Sequence, residues 1–208
     1  MAQPQASSPD PHLSEAVEQT RGFQPWRRVF HVATGSFIAL VLTVLGLPVP
    51  TAILILSVTL ALLLTMDVLR LLDPEFNVLF FRAFSFLASP REEKSLASST
   101  WYALSSLLVL AIFPKAYALA GILVLAWADP AANIVGRRWG KARLMEGTVR
   151  GTTAFAAAAF LALLIFVPWK AAIVAAVVAA LMEASPIQLD DNLIVPLTVA
   201  TTLLVISA

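Results

Sequence analysis

Seven apolar runs, at 29–47, 51–66, 98–113, 117–135, 152–167, 171–184 and 193–207, leave this chain few ways to fold. They are rich in Ala, Leu and Val without strict alternation, which describes helices and not barrel strands. A helix crossing a bilayer needs about 20 residues, and several runs fall short, so a thin or tilted bundle is expected. Charged residues make up only 13% of the 208 residues, against 59% apolar; a soluble domain carries roughly a quarter charged. The expected fold class is all-α, a polytopic integral membrane helical bundle of about seven spans. The stretch 76–88 is apolar but short and interrupted by Arg82, so it reads as interfacial or buried. Residues 1–25 form a polar tail without the apolar h-region of a cleaved signal peptide. Within it, 1–10 is rich in Pro, Ser and Gln and is expected to be disordered, and 13–21 suits a short interfacial helix.

With the N-terminus placed in the cytoplasm, 12 of the 14 Lys and Arg residues fall inside and only Lys115 and Lys170 outside. That asymmetry is the positive-inside signal. All 13 acidic residues sort the same way, to the tail or to the inner ends of spans. Anchoring needs basic residues at that face and no carboxylates, so the cytoplasmic face is expected to hold the site. Net charge is +1, too small for the basic field of a nucleic-acid binder. The absence of cysteine excludes a disulfide framework, a thiolate metal site and a cysteine nucleophile.

The most informative stretch runs from Trp127 to Lys141. On a helix, Asp129, Asn133 and Arg137 share one face. Asp129 lies inside a span, where an ionised carboxylate requires a metal, a cation or a proton. Pro130 interrupts the helical hydrogen-bond ladder beside it. Gly136 and Gly140 allow close backbone approach to a ligand, and Arg137, Arg138 and Lys141 offer phosphate partners. Glu146-Gly147-Thr148 and Gly151 then open the fifth span, where free N–H groups suit an anion; Arg138 and Arg143 alone read as ordinary loop charges. Arg27, Arg28, His31 and Gly35 begin the first span. Asp67 and Arg70 are spaced to pair. Arg91-Glu92-Glu93-Lys94 precedes the third span, and Glu93 and Lys94 are read as solvated. Glu183 ends the sixth span and Asp190-Asp191-Asn192 opens the seventh, where Asp191 reads either as a helix cap or as a third carboxylate at the depth of Asp129 and Glu183. Three carboxylates beside bases suit oxygen-ligated Mg²⁺ bridging nucleotide phosphates.

The run Asp129-x-x-Ala132-x-x-x-Gly136-Arg137-Arg138-x-Gly140-Lys141 with Glu146-Gly147-Thr148 resembles the signature of CTP-dependent lipid-alcohol kinases: dolichol kinase, phytol kinase and the yeast-type CTP-dependent diacylglycerol kinase. Arg27-Arg28-x-x-His31-x-x-x-Gly35 is similar to their opening element. Glu183 followed by Asp191-Asn192-x-x-x-Pro196 is similar to their closing one, and Arg91-Glu92 with the Ser/Thr-Trp-Tyr segment to a middle motif. The chain departs at Arg143-Leu144, where the family usually has Lys-Ser. Phosphatidate cytidylyltransferases, which share the central run, typically carry a Ser-Pro-Lys-Lys-Thr-x-Glu-Gly segment absent here.

The resemblance implies a membrane-embedded catalytic domain over 26–208 that transfers the terminal phosphate of CTP to the hydroxyl of a polyprenol, phytol-like prenol or diacylglycerol. It implies catalytic roles for Asp129, Asp191 and His31. Nucleotide and phosphate binding would fall to Arg27, Arg28, Asn133, Gly136, Arg137, Gly140, Lys141, Glu146, Gly147 and Thr148. Mg²⁺ would be the cofactor, on Asp129, Glu183, Asp191 and Asn192. CTP, a membrane lipid alcohol and the bilayer are the expected partners, with no nucleic acid. The alternatives are CDP-lipid synthesis, a transporter using Asp129 for ion coupling, and a non-catalytic scaffold. The sequence leaves the lipid and the oligomeric state open.

Overall fold

The structure is a computed structural model describing residues 11–22 and 24–207. The disorder expected of 1–10 lies outside the described residues. The chain runs through α1 (Pro11–Glu18), α2 (Pro25–Thr43), α3 (Val49–Leu72), α4 (Pro74–Ala83), a 3-10 turn (Pro90–Lys94), α5 (Ser98–Ile112) and α6 (Lys115–Trp139). A hairpin of β1 (Arg143–Leu144) and β2 (Gly147–Thr148) follows, then α7 (Val149–Leu163), α8 (Trp169–Glu183) and α9 (Asp191–Ser207). The all-α expectation holds. Proline in the first turn starts α2, α3 and α4, where the missing N–H is not needed and φ is already helical.

α6 is the central pillar. Within its most apolar stretch 67% of the residues are buried, against 17% in α3, and it packs on α7, α9, α2 and α5. α3 sits at the periphery and turns Leu54, Ile55, Val58 and Leu62 outward, a face suited to lipid and not to water. These two helices are long and apolar enough to cross a membrane; α5, α7 and α9 are apolar but shorter. Pro130 lies inside α6 without ending it, because a proline removes a single ladder bond that neighbouring packing can compensate.

Of the segment 13–21, residues 13–18 lie in α1, whose Ala16 and Val17 pack with Phe81 and Ala88. Its narrow apolar face is therefore used by α4 and its following loop. The stretch 76–88 divides between the ten-residue α4 and that loop. Nearby, Arg70 and Asp67 form a fully buried pair, Nε to Oδ1 at 2.6 Å. Arg70 also donates to the carbonyls of Glu92 at 2.6 Å and Ser95 at 2.5 Å. Asp67 Oδ2 accepts from the Thr100 hydroxyl at 2.6 Å and the Ala97 amide at 3.0 Å. The expected pair is thus the clamp that ties the end of α3 to the 3-10 turn and the start of α5. A buried pair stabilises only when its remaining hydrogen-bonding capacity is met, and here it is.

Candidate functional site

Three adjoining cavities meet where α2, the 3-10 turn, α6 and α9 come together. The central one, about 140 Å³, is lined by Arg27, Arg28, His31, Asp129, Asp191 and Asn192, along with Arg91, Glu92 and Ser98. A polar cleft of about 870 Å³ lies on one side, lined by Asn133, Gly136, Arg137, Gly140, Lys141, Arg143, Glu146, Gly147, Thr148 and Glu183. Arg91 and Asp191 line both of these cavities. On the other side is an apolar groove of about 330 Å³ between α2, α3, α4 and α5, which shares Arg27, His31, Glu92 and Ser98 with the centre. Every residue given a catalytic, phosphate-binding or metal-binding expectation from the sequence therefore lies on the centre or the cleft. They divide, however: Asp129 faces the centre and Glu183 the cleft, with Asp191 between.

The i, i+4 spacing on α6 is realised as a bond from Asn133 Nδ2 to Asp129 Oδ1 at 3.0 Å. Asp191 begins α9, but Asp190 caps it, accepting the Asn192 amide at 3.0 Å and its side-chain amide at 2.5 Å. The cap reading of Asp191 is thereby corrected: the preceding aspartate satisfies the helix start, and Asp191 is left facing both cavities. Asp191 stands just ahead of the apolar stretch 193–207. Burial, then the carboxylates of Asp129 and Asp190, push its carboxyl up to about 6, while Arg91 pulls it down. Carboxylates gathered this way favour a cation or a proton between them.

The expected open helix start at 146–151 is built differently. Residues 143–148 form a tight antiparallel hairpin, Arg143 opposite Thr148 and Leu144 opposite Gly147. Met145 at its tip has φ of +50°, a left-handed conformation uncommon for a side chain of this kind. The hairpin is pinned by the Glu146 amide donating to Ala184 at 3.1 Å and the Val149 amide to Ala142 at 3.1 Å. The Thr148 hydroxyl caps α7 by accepting from Gly151 N at 3.1 Å. Gly140 is needed for the chain's own packing: a Cβ there would collide with the Gly136 carbonyl and stand 2.5 Å from Thr148 Oγ1. The close approach expected at this glycine is made by Thr148, and it brings the end of α6 against the start of α7.

Five site residues received no catalytic, phosphate-binding or metal role from the sequence, although Arg91-Glu92 and the Ser/Thr-Trp-Tyr segment resemble the family's middle motif. Glu92 is 4% exposed, although it sits in a run that reads as solvated. Its Oε1 accepts from Arg27 Nη1 at 3.1 Å, Ser98 Oγ at 2.7 Å and Ser98 N at 3.3 Å. Arg27 Nη2 also donates to Ser98 Oγ at 2.6 Å. Arg91 beside it lines the centre and the cleft. Thr152 lines the cleft with a buried hydroxyl that has no partner, and Tyr102 lines the groove in the same condition. Tyr102 and Ser98, one turn apart on α5, belong in the sequence to a Ser/Thr-Trp-Tyr helix start that resembles the family's middle motif, without a role for either side chain.

Among the described residues, no three His, Asp or Glu side chains converge closely enough to enclose a metal ion by themselves. Mg²⁺ is ordinarily held by one or two carboxylates, with substrate phosphates and water completing its shell. Asp129 and Asp191, both on the centre beside the phosphate-suited cleft, fit that donor set.

No family model and no solved structure matches the chain. Three curated relatives do, each named CTP-dependent diacylglycerol kinase 1. The protein from Schizosaccharomyces pombe is 31% identical over 115 residues, 55% of this chain and 52% of that one. The Eremothecium gossypii protein is 34% identical over 114 residues, 55% of this chain and 36% of the relative. The Saccharomyces cerevisiae protein is 32% identical over 114 residues, 55% and 39%. The matched part thus spans between about a third and a half of the length of these relatives. These matches support the CTP-dependent lipid kinase family that the motifs resemble.

Proposed function

We propose that this protein is a multi-pass membrane kinase that transfers the terminal phosphate of CTP to the hydroxyl of a lipid alcohol. One observation carries the reading: the central pocket opens on one side to a polar cleft of phosphate-suited residues and on the other to an apolar groove. A nucleotide and a lipid entering from those two sides meet between Asp129, Asp191, Arg27 and His31. The names of the relatives point to CTP as donor and favour diacylglycerol among the acceptors.

In the cleft, Arg137, Lys141 and the Glu146–Thr148 turn hold the phosphates, with Thr152 offering an unspent hydroxyl. Asp129 and Asp191 would hold Mg²⁺ against those phosphates, with Asn192 alongside and Glu183 on the cleft side; the ion would neutralise charge on the transferring group. The acceptor oxygen bonds to the γ-phosphorus as the bond from that phosphorus to its bridging oxygen breaks. The hydroxyl proton passes to Asp129 or Asp191, and CDP departs with the bridging oxygen. Arg27, held by Glu92 and Ser98, places positive charge where negative charge develops. The site lies at the cytoplasmic face of about seven spans, with the shorter helices tilted or matched by a thinned bilayer.

The test is incubation of the purified protein in lipid nanodiscs with γ-labelled and α-labelled CTP, Mg²⁺ and a panel of diacylglycerol and prenols. Transfer of the γ label with CDP release is expected. Transfer of the α label with pyrophosphate release would replace this reading with CDP-lipid synthesis, and no nucleotide binding would replace it with the scaffold.

A further inference from the structure

The 3-10 turn Pro90–Lys94 combines a fixed backbone with an arginine that the fold itself does not use. Three consecutive carbonyls of the turn are held. Arg91 O accepts from Ser95 Oγ at 2.7 Å, Glu92 O from Arg70 Nη1 at 2.6 Å and Glu93 O from Asn77 Nδ2 at 3.1 Å. Arg70 is itself fully buried, and the Glu92 carboxylate is bound by Arg27 and Ser98. The turn is thus anchored to α2, α3, α4 and α5. Arg91 itself is exposed, and among the described residues its guanidinium makes no hydrogen bond or ion pair. It stands near enough to Asp191 to draw that carboxyl down, yet the two are not paired. Lys94, at the other end of the turn, is also exposed but lines none of the three cavities.

Arg27 and Arg28 line the centre and not the cleft, whereas Arg137, Lys141 and Arg143 line the cleft and not the centre. Arg91 is the one described cation on both, and Asp191 the one described carboxylate on both. On the kinase reading, on which this inference rests, the γ-phosphoryl group is bonded first to the nucleotide and then to the lipid. It is therefore the group that must occupy the junction of the two cavities. We infer that Arg91 is a catalytic residue that donates to the nonbridging oxygens of the transferring γ-phosphoryl group. The acceptor oxygen bonds to the γ-phosphorus while the bond from that phosphorus to its bridging oxygen breaks. The electron pair leaves with the bridging oxygen on CDP, and the hydroxyl proton goes to Asp129 or Asp191. The flat fork of guanidinium donors matches two phosphate oxygens. A donor whose backbone is already fixed also needs little reorganisation as the charge on those oxygens shifts. CDP lacks the γ-phosphoryl group, so this contact is made to CTP and is absent with CDP. That difference separates Arg91 from the cations of the cleft.

The experiment uses the full chain in phosphatidylcholine nanodiscs. CTP and CDP are titrated without an acceptor lipid, and transfer from γ-labelled and α-labelled CTP is then measured with diacylglycerol added. Arg91→Ala is expected to lower turnover about 1,000-fold, the lower end of what an arginine on a transferring phosphoryl group supplies. It is expected to bind CTP about ten-fold more weakly, the order of one charge-assisted hydrogen bond, and CDP as tightly as wild type. Arg137→Ala, by contrast, is expected to weaken both nucleotides. Guanidinium ion, kept well below denaturing concentration, is expected to restore part of the Arg91→Ala turnover. Arg91→Lys, which keeps the charge without the fork, is expected to fall between Arg91→Ala and wild type. Lys94→Ala removes a cation from the same turn and is expected to behave as wild type. Turnover in Arg91→Ala equal to that in Lys94→Ala overturns the assignment. So does an equal loss of affinity for CTP and CDP, which would make Arg91 one more cation of the cleft. A loss of turnover that guanidinium does not relieve also overturns it, by making Arg91 a support for the turn. Each of these leaves the kinase reading in place as long as wild type transfers the γ label. Transfer of the α label by wild type, or no nucleotide binding, removes the kinase reading and this assignment together.

Discussion

Asp190 Oδ1 accepts the backbone amide of Asn192 at 3.0 Å, and this bond separates the two adjacent aspartates into a cap and a free carboxylate. Asp190→Ala is expected to lower stability by about 1 kcal/mol, the usual value of a cap. Asp191→Asn and Asp129→Asn are each expected to lower turnover by at least roughly 100-fold while the protein stays folded, as loss of a base or metal ligand does. Detergent-phase melting and single-turnover phosphoryl transfer, measured on all three variants with Glu93→Gln as a control, decide this. Near wild-type turnover in Asp129→Asn would end the mechanism proposed.

The raised Asp191 carboxyl, at about 6, predicts an acid limb. Mg²⁺ binding and proton acceptance both need its charged form. The affinity of the metal-free protein for Mg²⁺ is expected to fall as pH drops through about 6, well above the ordinary range of an aspartate. Asp191→Glu is expected to keep a shifted inflection and Asp191→Asn to lose it. A profile flat down to pH 5 in wild type would contradict the assignment.

Arg70 is fully buried against Asp67 and two carbonyls. Arg70→Met leaves the Asp67 carboxylate buried without its counter-charge, and about 3–5 kcal/mol of stability is expected to be lost. The same change frees the turn that carries Glu92, so phosphoryl transfer is expected to fall even where the protein remains folded. Unfolding midpoints compared with Asp67→Asn/Arg70→Met, in which no lone charge remains, test it. The double variant is expected to be the more stable of the two.

Gly140→Ala places a methyl group against Thr148 Oγ1 and the Gly136 carbonyl. Overpacking of this kind costs about 1–3 kcal/mol. Here it would push the hairpin off the end of α6, so KM for CTP is expected to rise several-fold with KM for the lipid unchanged. Equal changes in both would point to general unfolding.

The 12-to-2 distribution of Lys and Arg predicts a cytoplasmic N-terminus and an exterior C-terminus. Reporters fused after Lys115 and after Ala208 are both expected to report outside. A cytoplasmic C-terminus would require an even number of spans.

The helical class, the motif residues and the kinase resemblance were all legible in the chain, because apolar run length and i, i+4 spacing are local properties. Asp129 with Asn133 is such a case: the spacing on one helix is enough to place them together, and the bond is there at 3.0 Å. Glu92 is the opposite case. Its neighbours Glu93 and Lys94 are read as solvated, yet it is buried because Arg70, 22 residues earlier, binds its carbonyl and Arg27, 65 residues earlier, binds its carboxylate.

Composition and periodicity determined that the chain is a bundle of apolar helices with its charge gathered at one set of ends. Tertiary structure alone decided how those charges divide. It assigned the α9 cap to Asp190 in place of Asp191, divided the carboxylates between the centre and the cleft, and set Tyr102 beside His31 at the head of an apolar groove. The reason is physical: hydrophobic periodicity reports which face of a helix avoids water, whereas a cavity exists only where several such faces fail to close, and that depends on helix crossings no single stretch of sequence contains.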